Sequence, residues 1–335
     1  MVKFTTFFKI QHALIEKHSM LRLFFLSLCL FMSSQALASK APPIHKNYPL
    51  DEVAPGVFVL HGPTEAPNLD NQGFINNPSF ILTNEGVVVV DPGSSVQIGE
   101  MLMSNITNTT SKPVVAVFNT HVHGDHWLGN EAITAKYPSV KIYAHPTMSK
   151  MIEEGEGERW IDFMLDLSQG ATAGTKAVGP THSLNDGDVL TIGEISFQII
   201  HQSKAHTKTD IMIYVKERAV IYLSDNGNQN FIVPVEGSFQ GNIAALNDAI
   251  NSGAKIFIPG HGKTSGPEVA RHYLNFLTTI YETTRVAYEE GKSDYEIRPD
   301  LLPKLEYWKN WAGFENQLGL LINFAFLEAE SADFE

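Results

Sequence analysis

The stretch PVVAVFNTHVHGDHWLGN, residues 113–130, ends an apolar β-type run in three histidines and an aspartate: His121, His123, Asp125 and His126. Four coordinating side chains within six positions constrain the fold. A strand that delivers them at one end belongs in an architecture where other segments bring partners to the same place. Other apolar runs in the chain end in the same way. GVVVV ends at Asp91, ISFQII leads through HQSKA to His206, AVIYLS ends at Asp225 and KIFIPG ends at His261. In open α/β sheets, ligands bind outside the carboxyl ends of the strands, so five such ends in one sheet system can converge.

The pattern along the chain supports such a system. Runs rich in Val, Ile, Phe and Tyr, bounded by Gly, Pro, Asn or Asp, predict strands at 57–61, 79–83, 86–90, 114–119, 141–144, 195–201, 210–215, 219–224 and 255–258. Helical patterns cover 97–108, 128–137, 243–252 and 267–290. This mixture predicts an α/β protein with helices covering sheet faces. Residues 151–180 read either as an insertion or lid or as a plain surface connection. Residues 291–335, with Trp308 and Trp311, read as a helical extension packed on a main domain of residues 39–290.

Neutral imidazole and carboxylate are natural zinc ligands, and two metals about 3.5–4 Å apart can clamp a reacting group. Such a centre needs about seven side-chain ligands. His121, His123 and His206 make one triad, Asp125, His126 and His261 another, and Asp225 remains to bridge. Gly124 is expected to let the loop turn tightly between them.

His121-Val122-His123-Gly124-Asp125-His126 resembles the HxHxDH signature of the metallo-β-lactamase fold superfamily. Further motifs of that family follow in order: Asp91, His206-Thr207 with Asp210 nearby, Asp225, and Pro259-Gly260-His261-Gly262. The resemblance covers roughly residues 53–263. It implies an αββα four-layer sandwich with two zinc ions at one edge of the sheets, iron or manganese being alternatives. It also implies that Asp91 holds the histidine loop, although an Asp before Pro92-Gly93 equally starts a turn. Asp210 either orients His206 or begins a strand. His145, His182, His201 and His272 match no ligand motif.

The N-terminus reads as an export signal. Residues 21–32, LRLFFLSLCLFM, are too short to span a bilayer comfortably, and Ala36-Leu37-Ala38 has the form of a signal-peptidase site. Translation from Met1 or from Met20 fits the pattern, and cleavage is expected after Ala38, giving a periplasmic or secreted protein. The single cysteine, Cys29, lies in this segment, so the mature chain would carry no thiolate ligand or disulfide. The full chain has 24 basic and 37 acidic side chains; residues 1–38 hold four and one of these, which leaves 20 and 36, a net charge of −16. That surface repels nucleic acid and anionic membranes. A small-molecule substrate is expected, with no nucleic-acid partner, no membrane association after cleavage, and oligomeric state open.

The expected chemistry is metal-dependent hydrolysis of a thioester, lactone or amide by a zinc-bound hydroxide, with Asp125 shuttling the proton. A β-lactamase without a Cys ligand is one alternative. Cys-free lactamases of the family generally have Ser where this chain has Asp225, which instead resembles the thioesterase and lactonase branches. VAPGVFVLHGP and HGDHWLGN also resemble exported members associated with sulfur oxidation and quinoprotein relay systems. An iron-containing redox member and a non-catalytic metal-binding module are the remaining alternatives. Specificity is expected in residues 62–77, 151–180 and 226–239. Phe74 and Trp127 are candidate apolar walls of the groove, and Asn226, Asn228 or Asn230 a candidate amide donor to a carbonyl.

Overall fold

The computed structural model describes residues 40–334; the expected signal segment and Cys29 lie outside them. Among the described residues, seven strands form one sheet: β1 (Leu50–Ala54), β2 (Val57–Leu60), β3 (Ser79–Leu82), β4 (Val87–Val90), β5 (Val114–Phe118), β6 (Lys141–Ala144) and β7 (His182–Ser183). They neighbour one another in chain order, antiparallel from β1 to β4 and parallel from β4 to β7. A second sheet holds β8 (Val189–Ile192), β9 (Ile195–Ile200), β10 (Met212–Val215), β11 (Val220–Ser224) and β12 (Ile256–Pro259) in the order β12-β11-β10-β9-β8. There only β11 and β12 run parallel.

The helices are α1 (Val96–Thr109), α2 (Gly124–Trp127), α3 (Asn130–Lys136), α4 (Pro146–Met151), α5 (Gly157–Leu167), α6 (Phe239–Asn251), α7 (Glu268–Glu289), α8 (Asp294–Leu301) and α9 (Phe314–Ala332). No described helix is long and apolar enough to cross a membrane.

β4 shows how the layers arise. A run of four valines is buried on both faces, as expected for a strand covered on each side. Val88 and Val90 join Phe118, Phe197, Ile199 and Ile213 in the core between the sheets, where the Phe118 and Phe197 rings lie 5.2 Å apart. Val87 and Val89 face the other way, onto Ile98, Leu102 and Ile106 of α1 and Ile133 of α3. Beyond the second sheet, Ile221, Leu223 and Phe257 meet α6 to α9 and the buried Trp308 and Trp311. Each fully buried side chain of this size contributes about 1.5–3 kcal/mol. The result is the αββα sandwich that the motifs implied.

Strands β1, β7 and β8 are absent from the sequence expectation. All three are edge strands. β7 is two exposed residues, the apolar positions of β1 are interrupted by Asp51 and Glu52, and β8 is only four residues long. Runs this short carry a weak periodic signal.

The segment 151–180 is mostly helical up to Leu167, and it packs directly on the histidine loop. Trp160 of α5 and Met164 share a core with Val122, Trp127 and Leu128. This changes the role of Gly124. It does not adopt a left-handed conformation, so turning is not what requires glycine there. A Cβ at Gly124 would instead stand 2.6 Å from the Trp160 Cβ and 3.0 Å from Leu128 Cδ1. Gly124→Ala should therefore lower the unfolding free energy by about 1–3 kcal/mol in a urea titration. The penalty should shrink when Trp160 is also replaced by Gly, which removes the Cβ that Ala would keep; an equal penalty in both backgrounds would refute the contact.

Candidate metal centre

Five strand-to-loop junctions carry the centre, and Asp91 organises the first two. It follows β4 with φ of 48°, a left-handed conformation that Asp adopts more readily than most residues. Its carboxylate accepts from Thr120 N (2.9 Å), Thr120 Oγ1 (2.6 Å) and His126 Nδ1 (2.9 Å). An ionised carboxylate only accepts, so the Thr120 hydroxyl proton points at Asp91. Thr120 Oγ1 is then an acceptor for His121 Nδ1, 3.1 Å away. One carboxylate thus fixes the tautomers of two imidazoles and turns both Nε2 atoms inward.

The other ligand-type side chains are held comparably. His261 donates Nδ1–H to Ile75 O at 2.9 Å, while its backbone N–H donates to Asn228 Oδ1 at 2.8 Å. The backbone N–H of His206 donates to Asn226 Oδ1 at 3.2 Å. His123 Nε2 lies 3.2 Å from a Glu236 carboxylate oxygen, and His123 Nδ1 lies 3.1 Å from His206 Nε2. Asp225 follows Ser224, whose φ is 56°. Its carboxylate lies so close to Gly260 that a Cβ there would fall 1.8 Å from Asp225 Oδ1. Glycine is therefore the residue that fits before His261.

The structure brings all seven residues named from the sequence together. His121, His123, His206 and Asp225 form one group of potential donors and Asp125, His126 and His261 a second, each within 4.8 Å. Asp225 faces both: Oδ2 is 3.7 Å from His206 Nε2 and 3.3 Å from His261 Nε2, and Oδ1 is 3.3 Å from His126 Nε2. Asp125 Oδ2 is 3.4 Å from the Nε2 atoms of His126 and His261.

All seven side chains are buried. Burial opposes protonation of His126, but the carboxylates of Asp125, Asp225 and Asp91 outweigh it and hold its pKa well above the ordinary histidine value. Burial, then the neighbouring His126 and His123, hold His121 well below that value. Burial would raise Asp225, yet His261 and His126 hold it well below the carboxylate range.

His121 Nε2, His126 Nε2 and Asp225 Oδ1 are buried without a hydrogen-bond partner. Such atoms cost about 1–3 kcal/mol each. The carboxylates that favour a proton on His126 would equally favour a metal cation in its place, and the inward nitrogens of His121 and His126 are the atoms that would bind it. The outer nitrogens of His121, His123, His126 and His261 are each tied to protein groups, as is usual for metal-binding histidines.

Asp210 is buried, which pushes its pKa up to about 7 although it accepts hydrogen bonds from Thr207 N and Oγ1. It braces the loop that carries His206. Asn226 and Asn228 are buried in backbone-holding contacts, and Asn228 also donates to Asp225 O; they are scaffold rather than amide donors to a substrate. Phe74 and Trp127 are also not groove walls. Both are fully buried, Trp127 donating its Nε1–H to Val122 O at 2.8 Å.

The groove is a cavity of about 340 Å³ reaching His123, Asp125, Asp225 and His261. Its apolar walls come from α5, with Phe163 prominent, and from residues 231–234; Gly313, Asn316 and Gln317 of the tail complete it. The tail's part was not expected from the sequence; Glu236 lies in the 226–239 segment expected to border the groove, though it was not singled out there. Both depend on the 226–238 loop, which an exchange of hydrogen bonds (Ile232 N to Ala312 O, Ala312 N to Asn230 O) ties to the tail.

Among proteins of known sequence, the chain is 24% identical over 221 residues to the probable hydroxyacylglutathione hydrolase glo2 of Schizosaccharomyces pombe, covering 63% of this chain and 72% of that protein. It is 26% identical over 187 residues to the acyl-coenzyme A thioesterase MBLAC2 of Bos taurus, covering 50% and 64%. The fold matches that of the stereoselective inverting sec-alkylsulfatase Pisa1 from Pseudomonas sp. with a TM-score of 0.64 at 14% identity, over 86% of this chain and 52% of that one. The model of the metallo-beta-lactamase superfamily matches residues 72–261, which hold every motif of the centre, and the chain belongs to that superfamily as a metal-dependent hydrolase.

Proposed function

We propose that the protein is a dinuclear zinc hydrolase that cleaves a carbonyl-type bond, a thioester or lactone before a β-lactam. The observation that carries this reading is Asp225, whose two oxygens face both donor groups. His121 Nε2, His123 Nδ1 and His206 Nε2 would hold one ion, Asp125, His126 and His261 the other, and Asp225 would serve both. Zinc ions bound there would lower the pKa of water and polarise the reacting carbonyl.

The chain's own groups do the rest. Asp125 lines the cavity. Burial would raise its pKa, but His126 and His261 lower it overall, so its carboxylate is ionised and ready to act as a base. The Asp125 carboxylate takes a proton from the attacking water and returns it to the leaving sulfur or oxygen as the carbonyl–heteroatom bond breaks. The products are a carboxylic acid and a thiol or alcohol. Glu236 positions His123 by accepting its Nε2–H, which leaves Nδ1 inward.

The cavity's electrostatics favour a neutral reacting group. The one cation among its described lining residues, Arg159, is engaged by both carboxylate oxygens of Glu156. A β-lactam carboxylate would find no free side-chain cation in it. The acyl-coenzyme A thioesterase relative supports a thioester as the bond cleaved.

The test is a panel of thioesters, lactones, β-lactams and phosphodiesters assayed on zinc-loaded protein, with thioesters or lactones turned over fastest. About two zinc ions per chain should be found by elemental analysis. Chelation should abolish activity, and added zinc should restore it. His121→Ala and His261→Ala should each leave fewer than two zinc ions per chain and lower kcat by at least about 100-fold; turnover by either variant without residual metal would contradict the proposal. Glu236→Gln should weaken metal affinity or activity by about tenfold, less than Glu236→Ala. Equal effects of the two would remove Glu236 from a positioning role.

A further inference from the structure

Helix α5 carries more apolar surface than the fold uses. Trp160, Phe163, Met164 and Leu167 stand at i, i+3, i+4 and i+7, one face of a helix. Trp160 and Met164 are spent on the core beneath. Phe163 is left 45% exposed and Leu167 half-buried, and both line the cavity that reaches the metal-ligand residues. Trp160 meets the edge of Phe163, with ring centroids 5.3 Å apart at 80°, which fixes the outer ring over the cavity. Ile232, Val233 and Pro234 form another apolar wall.

An apolar channel of about 340 Å³ is within the range of small-molecule sites, where apolar lining supplies affinity and a few polar groups fix orientation. Here the polar groups are the imidazoles and carboxylates of the centre. Away from the metal-ligand residues the lining offers an anionic tail little: Glu236 is acidic, and the guanidinium of Arg159 is already held by Glu156.

We propose that this cavity binds the neutral, straight aliphatic chain of an acyl substrate whose carbonyl lies at the His–Asp cluster, and that Phe163 sets the preferred chain length. The proposal rests on the hydrolase reading for its carbonyl, but not for the chain-binding surface. Each methylene that passes between Phe163 and the 232–234 wall leaves water, and its transfer to an apolar site corresponds to about a twofold to fourfold gain in binding.

Two series on the zinc-loaded full chain test this. The first is kcat/KM for acetyl, butanoyl, hexanoyl and octanoyl thioesters of N-acetylcysteamine, with the ω-carboxylated hexanoyl thioester as charge control. The second is calorimetric binding of non-hydrolysable alkyl methyl ketones of matching length. We expect kcat/KM and ketone affinity to rise at least about tenfold from the two-carbon to the six-carbon chain. The ω-carboxylate should be at least about tenfold worse than its neutral counterpart. Phe163→Ser should cut the hexanoyl-to-acetyl ratio about tenfold, Phe163→Leu much less, and the exposed Tyr295→Ser on α8 should leave the ratio unchanged. Ketone affinity independent of chain length, or a ratio unmoved in Phe163→Ser, would overturn the proposal. Chain-length-dependent ketone binding with no turnover of any thioester or lactone would uphold the chain site and overturn the hydrolase reading instead.

Discussion

The buried carboxylate of Asp91 is the constraint on which the centre depends. It accepts three hydrogen bonds from two residues of the loop after β5. Through the Thr120 hydroxyl it sets the proton on His121, and directly it sets the proton on His126. Imidazole offers two nitrogens, and a protein that wants one particular lone pair must occupy the other. Without that pinning, the same residues would present a mixture of tautomers and ring orientations to the middle of the cluster. The cost is a carboxylate and two imidazoles out of water, and it is tolerated because each group finds a partner or an inward role.

The sandwich serves this arrangement by bringing strand ends together. β4 and β5 in the first sheet and β11 and β12 in the second are parallel neighbours, so their carboxyl ends emerge side by side. Valine and isoleucine on both faces of these strands bury them between the layers. The left-handed residues Asp91 and Ser224 then turn the chain at the sheet edge, and Gly260 lets the Asp225 carboxylate lie against the backbone. The site thus sits on loops anchored by the stiffest part of the molecule.

α5 and the tail form a second level of organisation. Trp160 rests on Gly124, 4.8 Å from the His123 ring, so the helix that roofs the cavity is in contact with the ligand loop itself. On the opposite side, Glu328 of α9 accepts from Ser238 Oγ and from the Phe239 and Gln240 N–H groups at the start of α6. That cap secures the end of the loop that carries Glu236 and the 231–234 wall. The cavity walls are therefore tied to the loops around the centre through two short docking contacts.

By itself the sequence determined the inner layers and the identity of the seven clustered side chains. The inner layers are a local property, marked by apolar runs of β-branched residues. The seven side chains needed the family motifs as well, because His61, His145 and His201 also follow strands directly and stay outside the cluster. The edge strands β1, β7 and β8 were not legible, because they are two to five residues long and too short for a periodic pattern to stand out. Only the tertiary structure decided which nitrogen of each histidine faces inward, that Phe74 and Trp127 belong to the core, and that Asn226 and Asn228 are scaffold. It alone revealed Gly124 as a close-approach position and Phe163 with the 313–317 tail as the cavity wall. These features arise from contacts between residues far apart in the chain, such as Asn77 with Pro259 and Gly262. Such contacts are set by how two sheets and their covering helices pack, a condition that no local periodicity encodes.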